Sequence, residues 1–366
     1  MPQITSPTRG FTGYSPDLEP EISQFLQAAW PDRDSDLMLR RWRWQYLDSA
    51  SRFGIDPLVC MYRKDGIVAH QGIIPVRAKI GSVERLTGWF VETMVLECER
   101  GKTIGPMLIK KALETLPFNL SLGQTEQMRS IQYALGWTEV GPLRTWFYPL
   151  HPLRILQQRF ASPVVRALSA AALAGTSRLR SLASGGSPNK PVAIQRIDRF
   201  DKRFDQFWRR MSNELTCSVV RDADFMNWKF VDQPGQDFLR LGFSYNGELL
   251  ASAVIAFLEP NEVYSYRRAF IVDLLLERID VPASLQVLHE IIKTCRERHA
   301  DAVIVDIVDP FAESLLQQFG FLPRPPQRSL LLSRGDLSPN ESGMITRHDQ
   351  WFLTRADSDI DRPWRS

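Results

Sequence analysis

Apolar positions recur along this chain with two alternating periods, and the switches between them mark out its elements. Ile22, Phe25 and Leu26 are spaced for one helical face and the run Leu37 to Trp44 for another, with Ser35 or Asp36 placed to cap it. PLVCMYR, a Lys-Asp-Gly turn and IVAHQGIIPVRAKI then read as a β-hairpin, and Gly81 with Ser82 marks a second turn before LTGWFVETMVLE. That predicts a three-stranded antiparallel meander. Gly105 and Pro106 open a helix carrying Met107, Leu108, Ala112 and Leu113; proline is tolerated there because a first-turn N–H has no helical partner. A strand over FNLSLGQ, a helix from Glu126 to Leu135 and a last strand, WTEVGPLRTWFYPL, complete the series ααβββαβαβ.

The same series returns further along. Trp44, Gln45 and Tyr46 are matched by Trp228, Lys229 and Phe230, and Gly136 with Trp137 by Gly320 with Phe321, each pair 184 residues apart. The turn glycine Gly66 is matched by Gly247, and Glu92 by Asp273, at an offset of 181. Four landmarks in one order at a nearly constant offset indicate an internal duplication. The strands of the second copy are LRLGFSYN, ELLASAVIAFL, SYRRAFIVDLLL and DAVIVDIVD, with helices over Ala283–Arg298 and Phe311–Phe319. The expected architecture is α/β: two tandem domains, each a mixed, mainly antiparallel sheet flanked by helices. Their expected limits are residues 1–150 and 193–332, with a basic helical linker over 151–192 and a polar tail over 333–366.

Length agrees with two domains, since 366 residues exceed the ~250 at which single cores stop growing. Apolar residues make up 44% and charged residues 24%, an ordinary globular balance that speaks against disorder. A net charge of +3 argues against a nucleic-acid partner. The charge is uneven: between Val140 and Ile197 eight basic residues occur and no acidic one, so the rest of the chain carries −5. Leu153, Leu156 and Phe160, then Val164, Leu168 and Leu173, give this stretch two short amphipathic faces. They suit either peripheral contact of residues 151–182 with an anionic membrane or a solvated linker, and residues 184–188 form a Ser-Gly-Gly-Ser-Pro joint. Cys60, Cys98, Cys217 and Cys295 show no metal-type spacing, so a reduced chain without a metal is expected. No signal-like or spanning apolar run occurs, which implies a cytoplasmic protein, peripheral at the inner membrane surface if the basic stretch binds lipid.

One stretch carries specific chemistry. VETMVLECERGKTIGPMLIKKAL, a strand, a loop and a helix, resembles the acyl-coenzyme A motif of the Gcn5-related N-acetyltransferases (GNAT), with Arg100, Thr103 and Gly105 at the key places of (Gln/Arg)-x-x-Gly-x-(Gly/Ala). Thr103 stands where the family prefers glycine. The motif works by anion binding, backbone N–H groups and a helix N-terminus receiving a pyrophosphate. The resemblance implies that acetyl-CoA or another acyl-CoA binds along Val95, Arg100, Gly101, Lys102, Thr103, Ile104 and Gly105. NLSLGQTEQMRSIQYALGWTEVG resembles the family's second motif. There a tyrosine four residues before the glycine protonates the leaving thiolate; this chain has Gln132 at that place and Tyr133 one position on. The second copy has neither motif.

Glu92, on the strand entering the loop, and His70, on its neighbour, are candidates for the base that deprotonates an amine acceptor; each has an ordinary structural alternative as an ion-paired carboxylate or a half-buried histidine. Trp44, Trp228 and Asp273 are candidates for binding the acceptor, since aromatic rings stack on sugars; the alternative is that each tryptophan anchors its helix to its own core. Asp357, Ser358 and Asp359 suit a cationic group or, more simply, solvent. Tandem GNAT-like proteins accompany surface-polysaccharide biosynthesis, so the implied activity is N-acylation of an amine, with an amino sugar as one acceptor class. Two alternatives remain at this level: a peptidyltransferase using aminoacyl-tRNA, and a non-catalytic binding or scaffold protein. No P-loop, HExxH, GxSxG or GxGxxG run is present.

Overall fold

The structure, a computed structural model, describes residues 9–157, 164, 169, 171, 175, 192–278, 280–333 and 335–361. After a short strand β1 (Gly10–Thr12), helix α1 (Glu19–Ala29) buries Ile22, Phe25 and Leu26, the spacing that the sequence showed. Helix α2 (Ser35–Trp42) is capped one residue earlier than expected: the Asp34 carboxylate accepts from the Leu37 N–H at 2.8 Å. It continues into a π-helical turn, Arg43–Asp48, in which Trp44, Gln45 and Tyr46 are all buried. The meander is β2 (Val59–Arg63), β3 (Ile67–Ile80) and β4 (Val83–Val95), with Gly81 supplying the positive φ of the second turn. Then come α3 (Ile104–Ala112), β5 (Asn119–Leu122), α4 (Glu126–Ala134) and β6 (Thr138–Pro149).

The second stretch repeats this order with β7 (Ala193–Arg196), α5 (Lys202–Ser212), β8 (Cys217–Val219), α6 (Ala223–Phe230), β9 (Leu239–Tyr245), β10 (Glu248–Leu258) and β11 (Arg268–Leu276). It closes with α7 (Val281–Glu297), β12 (Ala302–Val308), α8 (Pro310–Phe319) and β13 (Leu322–Ser333). Aspartates cap four of these helices, Asp201, Asp222, Asp280 and Asp309, each accepting a first-turn N–H. Helix α9 (Pro339–Ile345) and strand β14 (Trp351–Thr354) follow.

The chain forms two compact units, and their limits differ from the expected ones. The first comprises residues 1–141, 232–236 and 329–346; the second comprises 142–231, 237–328 and 347–366. In the first, the sheet order is β1-β2-β3-β4-β5-β13, and β13 pairs with β5 from Leu330 opposite Leu122 to Ser333 opposite Asn119. In the second it is β7-β9-β10-β11-β12-β6, and β6 pairs with β12 from Arg144 opposite Ile307 to Pro149 opposite Ala302. Each copy's last strand thus completes the other unit's sheet. The alternation of β6 specifies a strand and its buried face, but the edges of β5 and β12 offer it the same chemistry, so local pattern does not choose between them.

A second difference concerns the expected polar tail. β14 pairs with β12, Thr354 opposite Ile307 and Leu353 opposite Val308, and with β8. Ala356 donates its N–H to the Val272 carbonyl at 2.9 Å. Asp357 and Ser358 are buried because the tail brings its charges to a partner already inside. Arg221, fully buried, donates to Asp273 Oδ1 (3.1 Å), Asp357 Oδ2 (2.6 Å), Thr354 Oγ1 (3.1 Å) and the Val219 carbonyl (2.9 Å), and lies over the Phe352 ring. The basic stretch expected to form a linker or a membrane contact lies almost wholly outside the described residues. Among the described residues no helix is long and apolar enough to cross a membrane.

Removing one partner of a buried, hydrogen-bonded ion pair strands the other charge, at a cost of roughly 3–5 kcal/mol. Asp357→Ala is therefore expected to lower the free energy of unfolding by about that amount, read from urea denaturation of the full chain. A midpoint equal to that of the parent protein would remove the tail from the core of the second unit.

Candidate functional site

The irregular point of the first sheet is in β4. His70 pairs with Met94 and Gly72 with Val91, so two residues, Glu92 and Thr93, face the single residue Gln71: a β-bulge. Glu92 sits there at φ 51°, a left-handed conformation that a non-glycine residue adopts only when its surroundings impose it. Those surroundings are specific. Gln71, fully buried, donates from Nε2 to the carbonyls of Gly72 (2.7 Å) and Val91 (3.1 Å), and its Oε1 accepts from the Thr93 hydroxyl. Tyr46 donates its hydroxyl to Glu92 Oε2 at 2.9 Å and itself accepts from Gln45 Nε2 at 2.9 Å. The Tyr46 ring lies flat on Gly72, where an added Cβ would come within 2.1 Å of it, so glycine is required at that position.

His70 belongs to the same support. Trp42 Nε1–H donates to His70 Nε2 at 3.0 Å, which leaves the ring proton on Nδ1, 3.2 Å from the Glu92 carbonyl oxygen. Burial pushes the His70 pKa down to about 4, the contact to Glu92 opposing it. The imidazole is therefore neutral, and both nitrogens are engaged in holding the bulge. This corrects its candidacy as a base.

Beyond the bulge the parallel pair comes apart. β4 and β5 are registered only at Gly88 with Asn119 and Trp89 with Leu120, although β4 runs on to Val95 and β5 to Leu122. The diverging strands open a notch lined on one side by β4 residues up to Val95, and Glu92 is half-buried in that stretch. The cavity of about 510 Å³ beside Arg85, Leu86 and Phe118 belongs to the other end of β4, seven residues or roughly 23 Å along the strand, and takes no part.

From Val95 the chain turns through Glu97–Glu99 into an exposed loop and then α3. Arg100 Nε donates to the Val95 carbonyl at 3.1 Å and Lys102 Nζ to the Cys98 carbonyl at 2.9 Å, while Glu99 pairs with Lys64 and Lys102. Gly101 and Thr103 both have positive φ, 78° and 63°. The N–H groups of Gly101, Lys102, Thr103, Ile104 and Gly105 donate no hydrogen bond among the described residues. Orphan amides at a helix start, beside two basic side chains, are the kind of group that can receive phosphate oxygens. Gly105 packs at ordinary distance from Val95, so its Cβ-free position is no steric necessity.

The remaining sequence candidates fall elsewhere. Gln132 is buried and donates to Ser121 Oγ at 3.0 Å; Tyr133, one position on, is 44% exposed and donates its hydroxyl to Glu139. That hydrogen bond, with burial adding to it, raises the Tyr133 pKa, the wrong direction for a proton donor. Trp44 and Trp228 are 3% and 4% exposed, so they line cores and offer no wall to a sugar. Asp273 is sealed under Arg221 and Thr354 and is likewise no acceptor contact. Its strand repeats the bulge, Val254 opposite Asp273 and Ile255 opposite Ile271, and β11 leaves β12 after Ile271 with Val305. In this second unit β14 fills the opening. Sequence reasoning missed Tyr46, Gln71 and Thr93 as supports of Glu92; Tyr46 stood within the repeated Trp-Gln-Tyr landmark, but nothing in that pattern shows where its hydroxyl points.

No protein-family model matches the chain, and no match is found among curated proteins. Solved structures do resemble it. A GCN5-related N-acetyltransferase from Anabaena variabilis matches at TM-score 0.60 with 11% identity, over 89% of this chain and 72% of that one. A probable N-acyltransferase from Enterococcus faecalis matches at 0.62 with 8% identity, over 90% and 73%. Saccharomyces cerevisiae N-myristoyltransferase with bound myristoyl-CoA matches at 0.56 with 12% identity, over 93% and 87%. At these identities the likeness is one of fold, and the fold is GNAT-like.

Two outcomes follow from the geometry. Thr103 spends about 1–2 kcal/mol in its left-handed conformation, so Thr103→Gly is expected to be neutral or to stabilise by up to about 1 kcal/mol in urea unfolding; a clear loss would mean that the hydroxyl matters more than the backbone. Unfolded, His70 titrates near its ordinary 6.5 and folded near 4, so the unfolded chain takes up the proton first as pH falls. Stability is expected to drop by about 3 kcal/mol between pH 6.5 and 4 from this group, and His70→Gln to flatten that part of the stability–pH curve. Coincident curves for the two proteins would sink the assignment.

Proposed function

We propose that the chain is a tandem of two GNAT-like units and that the first is an acyl-CoA-dependent N-acyltransferase. The observation that carries this reading is continuity: the unpaired edge of β4 leads without a break into the orphan amides of Gly101–Gly105. An extended thioester alongside β4 would deliver its pyrophosphate to that loop, with Arg100 and Lys102 adding charge. A neighbour in fold, the yeast enzyme, holds myristoyl-CoA, which supports this class of donor.

The chemistry then falls to Glu92. An ammonium acceptor entering the notch gives a proton to the carboxylate; the amine attacks the thioester carbonyl, the nitrogen sheds its second proton to solvent, the C–S bond breaks and the thiolate leaves, to be protonated from solvent. Main-chain N–H groups along the opened edge polarise the carbonyl, a contribution of the order of 3 kcal/mol for one well-placed donor. The Tyr46 hydroxyl and the His70 contact fix where the carboxylate stands. The acceptor is an amine, and amino sugars are the class to screen first. Equivalent bulges in β4 and β11 support the duplication, and the filled opening of the second unit supports a single donor site.

Calorimetric titration with acetyl-CoA and longer acyl-CoAs is expected to show saturable binding to the parent protein, weakened at least tenfold in Gly105→Asp, which puts a carboxylate among the amides. Glu92→Gln is expected to keep that affinity within about twofold while lowering kcat on a responsive amine by roughly 100-fold. Absence of binding to the parent protein overturns the reading.

A further inference from the structure

The second unit carries a cluster of arginines that neither the duplication nor the acyltransferase reading uses. On β11, Arg268 and Phe270 alternate with the buried Ala269 and Ile271 and share one face of the sheet. The cross-strand row at that level is Phe270, Ile304 and Phe147, and Asp306 lies two residues along β12 from Ile304. Guanidinium groups stack at both ends of this row: Arg355 lies 4.6 Å over Phe270 and Arg324 lies 4.5 Å over Phe147.

The charges on this face do not balance locally. Asp306 accepts from Arg355 Nη1 at 2.5 Å and from the Thr145 hydroxyl at 2.7 Å, and it lies 3.9 Å from Arg328. Arg355 also donates to the Ile360 carbonyl at 3.0 Å. Arg268 receives none of this. It is 6% exposed, and among the described residues its Nε has no acceptor and it makes no ion pair; its guanidinium instead lies 3.8 Å over the Tyr264 ring. Burial lowers the Arg268 pKa, and burial lowers that of Arg355 to about 10, with Asp306 opposing it. A guanidinium stacked on a ring keeps its N–H groups in the ring-parallel plane, where two of them present a fork to an oxyanion.

We propose that Arg268, with Arg328 and Arg355 beside it, forms an oxyanion-binding site in the second unit, for a phosphate or carboxylate group carried on a molecule that lies against the Phe270–Ile304–Phe147 row. The bound anion supplies the counter-charge that Asp306 cannot give to three arginines at once. The site stands independently of the acyl-CoA reading, since every residue in it belongs to the second unit.

The test is calorimetric titration of the full chain with inorganic phosphate, pyrophosphate and succinate, on the parent protein, Arg268→Met and Arg328→Gln. Saturable binding of at least one anion is expected, weakened at least tenfold by Arg268→Met and several-fold by Arg328→Gln, and the preferred anion tells phosphate from carboxylate. Without ligand, Arg268→Met should melt no lower than the parent protein, because it removes an uncompensated charge and keeps the ring contact; Arg328→Gln, at a position about one quarter exposed (24%), reads the site if the first variant does not fold. No saturable binding to the parent protein overturns the proposal. So does binding that both variants retain, which would place the anion elsewhere, as at the amides of Gly101–Gly105.

Discussion

The separation of a parallel strand pair is the constraint from which the first unit's site follows. β4 and β5 hold together for two registered positions and then part, because a bulge at Glu92 and Thr93 turns β4 off the line that β5 keeps. A bulge bends its own strand and increases its twist, and parallel pairing is slightly less stable per residue than antiparallel. The strain is met locally: Gln71 ties together the strands on either side of the bulge, while His70 and Tyr46 hold the backbone and the side chain of Glu92. Each of these residues is fixed in turn by something larger, Tyr46 by its seat on Gly72 and His70 by the indole of Trp42.

The two units show the same device put to different ends. A bulge recurs in β11, where Val272 is inserted beside Asp273, and β11 leaves β12 as β4 leaves β5. What differs is the occupant. In the second unit the chain's own residues from Trp351 onward enter the opening, and the carboxylate at the bulge is neutralised by Arg221 instead of being presented at an edge. Glu92 and Asp273 therefore match in sequence and differ in availability. Their backbones differ as well, since Glu92 is left-handed and Asp273 is not, and the chemistry of each depends on what else reaches it.

This bears on how much was legible beforehand. The long strand β3, the glycine turn at Gly81, the helices of the first unit and the exposed loop before α3 were readable, because they rest on local periodicity and on backbone rules that act over a few residues. Gln132 and Tyr133 were also readable as lying about 100° apart on a helix, and the structure turns the first inward and the second to solvent. The rest depends on partners distant in sequence. Asp357 and Ser358 look like a solvated terminus until Arg221 is known to lie beneath them, and His70 looks like a base until Trp42 and the Glu92 carbonyl claim its two nitrogens. Trp44 and Trp228 were weighed as acceptor walls or core anchors, and burial settles that they serve cores.

The exchange of final strands reaches beyond the folded state. Asn119 is tied to Ser333 across 214 positions, and Thr145 to Asp306 across 161. As the polypeptide emerges from a ribosome, the first unit's sheet lacks its closing strand until Ser333 has been made, and β6 waits, unpaired on that side, for β12. Loop-closure entropy for contacts so far apart is unfavourable until both ends exist, so each unit's sheet is closed late and by strands distant in sequence.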